Sequence, residues 1–147
     1  MSQISVGYAR SRLAGARGCR IRDVRLGHGS FLTFSALALK PAASVSAAAY
    51  YSWLHCTSWR LETTNALGCG SEDDRDVIAR SVALLENGEV LDVLLDWPSL
   101  SLTLASSGDL YLRTFSIYSQ EVEHWMVELP SGTWITAGPG SLLREGA

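Results

Sequence analysis

An α+β fold, mainly antiparallel sheet with one helix packed on it, is what the sequence predicts. Three observations carry that reading. One helix is marked at both ends, between Ser71 and Gly88. The remainder reads as short apolar or alternating runs divided by Gly, Pro, Asn and Ser, the pattern of strands and turns. The chain also says the same thing twice, which gives two related β units. A closed or half-closed barrel made from the two units is the rival architecture.

The helix comes first because it divides the repeat. Ser71 with Asp74 three residues on has the form of a capping box. Glu72, Asp73 and Asp74 place negative charge at the positive end of the helix dipole. Ile78, Val82 and Leu85 make an apolar stripe at helical spacing. Asn87-Gly88 tolerates the left-handed conformation that ends a helix. Before the helix stand Asp23-Val24-Arg25-Leu26, Ser30, Trp59-Arg60-Leu61-Glu62 and Gly68-Cys69-Gly70-Ser71. After it, in the same order, stand Asp92-Val93-Leu94-Leu95, Ser99, Trp125-Met126-Val127-Glu128 and Gly138-Pro139-Gly140-Ser141. A single domain is expected, with one unit over residues 18–71, a linking helix over 72–87 and a second unit over 88–141.

In chain order, residues 2–9 read as a short strand and Arg10 to Gly18 as a loop or frayed arm. Cys19 to Leu26 is a strand that turns at Gly27-His28-Gly29 into a partner over Ser30 to Leu39. Lys40 to Ala49, small residues after Lys40-Pro41, specifies no strand. Tyr50 to His55 and Ser58 to Glu62 are strands. After the helix, Glu89 to Asp96 is a mostly buried strand and Trp97-Pro98 turns it. Ser99 to Ala105 alternates, with Leu100, Leu102 and Leu104 on one side. Ser106 to Asp109 is a hairpin turn, and Leu110, Leu112 and Phe115 return to the core. Glu121 to Glu128 and Thr133 to Ala137 form a last hairpin, and Leu142 to Ala147 is a loose tail.

Composition bounds the class. The chain has 147 residues, 47% of them hydrophobic, and a net charge of −3, which suits one globular domain. Six arginines and one acid lie in residues 1–25; the rest holds six basic residues against fourteen acids. The bias to arginine, with Lys40 the one lysine, suits a high-GC bacterial genome. Cys19, Cys56 and Cys69 form no metal-ligand spacing, so no metal site is expected, and an odd, sparse set fits a reducing cytosol. The apolar stretch from Phe31 to Leu54 is broken at Lys40-Pro41, short of a membrane span. No signal peptide is expected. The Arg-rich start lacks interleaved aromatics, and the acidic body would repel phosphates, so nucleic acid is not the expected partner.

The candidate site residues are Trp97, Trp53, His55, Cys56 and His124. Trp97, in a turn before Pro98, is the tryptophan expected to stand exposed; Trp59 and Trp125, as repeat mates, are expected in the core. Cys56 attacking with His124 as base, oriented by Glu121 or Glu123, is a conceivable nucleophile set, but no local signature supports it and no catalytic residue is assigned. Glu62 and Glu128 are repeat-equivalent acids expected to face solvent. The acids from Glu72 to Asp76 are explained by capping. No cofactor is expected.

Trp59-Arg60-Leu61-Glu62, Gly70-Ser71-Glu72-Asp73, Gly88-Glu89-Val90 and Trp125-Met126-Val127-Glu128 give a layout over residues 18–141. It resembles small bacterial accessory proteins of the toxin-immunity kind and proteins of mobile elements such as integron cassettes. The resemblance implies action by binding and assigns no role to any residue. The sequence thus predicts a cytoplasmic, non-enzymatic protein that recognises another protein, or itself as a dimer, through an acidic and aromatic surface. The alternative is a small-molecule binder or enzyme with a pocket between the two β units, near His55, Cys56 and His124.

Overall fold

A computed structural model describes residues 1–38 and 49–147. Among these the chain runs β1 (Ser2–Gln3), α1 (Val6–Leu13) with a 3-10 turn (Ala14–Ala16), β2 (Arg20–Leu26), β3 (Leu32–Leu37), β4 (Ala49–Leu54), β5 (Thr57–Glu62) and β6 (Leu67–Gly70). It continues with α2 (Arg75–Val82) and a second 3-10 turn (Ala83–Leu85), β7 (Val90–Leu95), β8 (Leu102–Ser106), β9 (Leu110–Ser116), β10 (Trp125–Glu128), β11 (Trp134–Ala137) and β12 (Leu143–Gly146). The expectation for Lys40 to Ala49 falls, over 40–48, outside the described residues.

The two halves repeat one plan of helix, 3-10 turn and five strands. The expected single helix is therefore one of two. Residues 6–16 are helical where a strand and a loop were expected. The Ser5 hydroxyl accepts the Tyr8 N–H at 3.1 Å and caps α1, while Ala9, Leu13 and Ala16 supply the buried face. α2 starts later than its sequence suggests. Asp74 is its N-cap and makes no side-chain bond there. The Ser71 hydroxyl instead accepts the Trp59 backbone N–H at 3.2 Å. Ile78, Val82 and Leu85 are buried, as their spacing predicts.

The strands form two open antiparallel sheets, not a closed barrel. One has the order β1-β12-β11-β10-β4-β3-β2, the other β6-β5-β9-β8-β7. Each half therefore gives three strands to its own sheet (β2–β4, β7–β9) and passes the next two to the other (β5–β6, β10–β11), and β12 with β1 extends the first sheet to seven strands. Equivalent registers result: Trp125 opposes Leu54, and Trp59 opposes Thr114. Both tryptophans are 1% exposed. Each indole N–H donates at 2.8 Å to a backbone carbonyl, Trp59 to Ser30 and Trp125 to Leu100. The halves meet about a local two-fold at the bridge between Arg20 and Glu89. Around it Gly18 N–H donates to Val90 and Asn87 N–H to Ile21, both at 2.8 Å.

The core lies between the sheets, and both helices cover their edges. Arg75 of α2 donates to the carbonyls of Leu26, Gly27 and Gly29, and Glu86 accepts the N–H groups of Asp23 and Val24 beside β2. Arg10 of α1 donates to Leu95 at 2.9 Å, and Arg17 pairs with Asp92, beside β7. Charged side chains on the open edges of β2 and β7 block pairing with another chain. The expected loose tail is β12, paired with β11 and β1. In β9 the alternation turns Thr114 inward and leaves Phe115 half-exposed on the outer face, against expectation.

Candidate functional site

Two surfaces carry the candidate residues. The first is the outer face of the seven-stranded sheet. In a β-strand alternate side chains share a face, so Tyr51, Trp53 and His55 leave the core together. Cross-strand registers align Tyr51, Glu128 and Trp134 in one row, and Trp53, Met126, Thr136 and Arg144 in the next. The rings pack edge to face. Tyr51 and Trp53 lie 6.1 Å apart, Trp53 and Trp134 5.3 Å, and Tyr51 and Trp134 6.5 Å. Phe31 extends the cluster to Trp53 at 5.8 Å and to His55 at 5.2 Å. The Trp53 indole N–H is buried without a hydrogen-bond partner among the described residues. Glu128 is half-buried and in no ion pair among the described residues.

The second surface is an open cleft of about 650 Å³. Its walls are the turn after β7, the end of β9 with the segment following it, His124, and the turn Gly138 to Ser141. Hydroxyls of Ser99, Ser116 and Ser141 and the rings of Phe115 and Tyr118 line it. His124 is 2% exposed. Its Nε2 lies 2.9 Å from the Gly140 carbonyl, which only accepts, so Nε2 carries the hydrogen and the buried Nδ1 has no partner. Gly138 is at φ +88°, and a Cβ there would lie 2.8 Å from that Nε2. Only glycine meets both conditions without strain. The Ser141 hydroxyl donates to Pro98 at 2.7 Å and ties the walls together. The Trp97–Pro98 and Gly138–Pro139 bonds are cis.

The structure distributes the sequence candidates rather than gathering them. Trp97 is 54% exposed and directly precedes the cleft residue Pro98. His124 lines the cleft. Trp53 and His55 belong to the aromatic face. Cys56, at φ +51°, has its sulfur 3.6 Å from Nδ1 of its own neighbour His55. His124 is held by Gly140 instead, so the nucleophile set does not assemble. The repeat does not make His55-Cys56 equivalent to Glu123-His124: the registers match His124 with Ser58. Burial raises the thiol pKa of Cys19 and Cys69, which lowers their reactivity. No group of His, Cys, Asp or Glu among the described residues could hold a metal. No helix among them is long and apolar enough to cross a membrane. The gap between the sheets, beside Phe34, Tyr50 and Val127, holds about 30 Å³, and the cleft residues all come from the second half.

Tyr51, Trp134 and Glu128 were not among the binding candidates of the sequence. The alternation Tyr51-x-Trp53-x-His55 was the available signal, since it places three rings on one face of a strand. The chain matches no protein-family model, no curated protein and no solved structure.

Proposed function

We propose that the protein is a non-enzymatic binding protein that docks another polypeptide in the cleft beside Trp97. One observation carries this reading. Ile117 and Tyr118, exposed by 54 and 45%, line an open cleft of about 650 Å³, and Trp97, exposed by 54%, directly precedes its wall residue Pro98. Exposed large apolar side chains grouped at one place mark interaction sites, and Trp and Tyr are common anchors in them. Asp96 and Glu121 are exposed on the segments that carry the cleft walls, while Glu123 is paired with Arg144, and the two acids unpaired among the described residues favour a basic partner. Inhibition of a basic toxin in a bacterial cytoplasm is the concrete version. The three unpaired cysteines suit that compartment.

The test is selection of displayed peptides on the whole protein, repeated with Trp97→Ala/Tyr118→Ala. Sequences that bind the wild type and are lost from the double variant support the reading, and enrichment of basic residues supports the partner class. Binders indifferent to both substitutions overturn it. Sedimentation at increasing concentration covers the self-associating version: a dimer that Trp97→Ala dissociates would make the partner a second copy.

A further inference from the structure

We propose that the outer face of the seven-stranded sheet binds an arginine guanidinium presented by a partner, held on the carboxylate of Glu128 against the aromatic rings of Tyr51 and Trp134 that share its row. The argument stands apart from the cleft and comes from the repeat. On the five-stranded sheet the equivalent carboxylate is Glu62, opposite Tyr111, as Glu128 is opposite Tyr51. There the cradle is filled by the chain itself. Arg113 is bonded to Glu62 and lies 5.6 Å over the Tyr111 ring, and Arg60 donates to the other Glu62 oxygen at 2.9 Å while resting 4.5 Å over Phe115.

On the seven-stranded sheet the positions of Arg113 and Arg60 are held by Trp53 and Met126. The tyrosine and the carboxylate are kept, but the chain supplies no cation to them among the described residues. Trp134, in the row of Glu128, adds an aromatic wall that the other sheet lacks. A carboxylate that a docked partner covers needs a cation or donors to offset its loss of water. A planar guanidinium satisfies it doubly, with two N–H bonds to the oxygens and stacking on a ring. A phosphate-bearing partner is repelled by the same carboxylate.

The test uses the ¹⁵N-labelled full chain titrated with N-acetylargininamide, with N-acetylcitrullinamide as the neutral isostere and N-acetyllysinamide as the competing cation. The expected result is a saturable shift of the Trp53 and Trp134 indole N–H signals and of the Tyr51 and Glu128 amides with the arginine probe alone. Glu128→Gln, which keeps the shape, weakens binding at least about tenfold, the cost of removing one charge-assisted pair. Glu62→Gln leaves it unchanged. Equal shifts with the citrulline probe, tighter binding of the lysine probe, or wild-type binding by Glu128→Gln would each overturn the proposal. Lys40→Gln removes the one lysine; binding seen only in that variant would show that the chain occupies its own site and overturn an external ligand.

Discussion

At the scale of single residues, two kinds of side chain are placed under constraint. Gly138 packs its α-carbon against the His124 ring at positive φ. Gly138→Ala is expected to destabilise the protein by about 2 kcal/mol through strain and displacement of the ring. Chemical denaturation reads this directly, and an unchanged midpoint would mean that the turn can move. Glu62 and Glu145 act through charge. Bonding from Arg113 holds the Glu62 carboxyl below its ordinary value of 4.5, and the Tyr8 hydroxyl does the same for Glu145. A carboxyl with a lowered folded-state pKa adds stability above its unfolded value and loses it as pH falls through the folded one. Stability should therefore fall from just below pH 4.5 downward, and Glu62→Gln/Glu145→Gln should flatten that fall. Denaturation curves from about pH 6 to about pH 3 decide it.

Among the elements, α1 shows best what the sequence hides. Its buried face is Ala9, Leu13 and Ala16, so it offers little apolar contrast, and four arginines over 10–20 disguise it as a loop. Capping is the readable signal, and Ser5→Ala is expected to cost about 1 kcal/mol. Asp74→Ala should cost less, because Asp74 makes no capping bond in α2. Comparing the two unfolding midpoints tests the assignment. The stripe of α2 was legible because Ile78, Val82 and Leu85 are large. Strand β12 was not legible, since β1, from the other end of the chain, completes its pairing. Phe115 was misplaced because its alternation with Thr114 depends on a ladder with β5 and β8, not on local hydrophobicity. Among the exposed aromatics, Trp97 was legible from its turn. The Tyr51–Glu128–Trp134 row needs a register between β4, β10 and β11 that no local pattern states.

At the scale of the molecule, the repeat organises everything else. Trp59 and Trp125 make the same hydrogen bond from equivalent positions. Trp59→Phe and Trp125→Phe should therefore lose similar amounts of stability, about 1–3 kcal/mol each. A large inequality in measured unfolding free energy would show that the halves have stopped sharing load. The repeat was legible because two of its marks, Asp23–Leu26 with Asp92–Leu95 and Trp59–Glu62 with Trp125–Glu128, occupy equivalent strands; Ser30 answers Leu100 rather than Ser99, and Ser71 answers Ala137 rather than Ser141. The exchange of strands was not, since pairing β5 with β9 and β10 with β4 leaves no trace in local sequence.

That exchange has a consequence for synthesis. A nascent chain that has emerged only as far as α2 holds β5 without β9 and β4 without β10, so neither sheet can be completed on the ribosome until most of the second half has appeared. Pairing between residues so distant is slow to form. During that interval, a chain further along on the same message carries the β9 and β10 that the shorter chain still lacks, and the shorter chain's β5 and β4 could close on that neighbour before closing on their own.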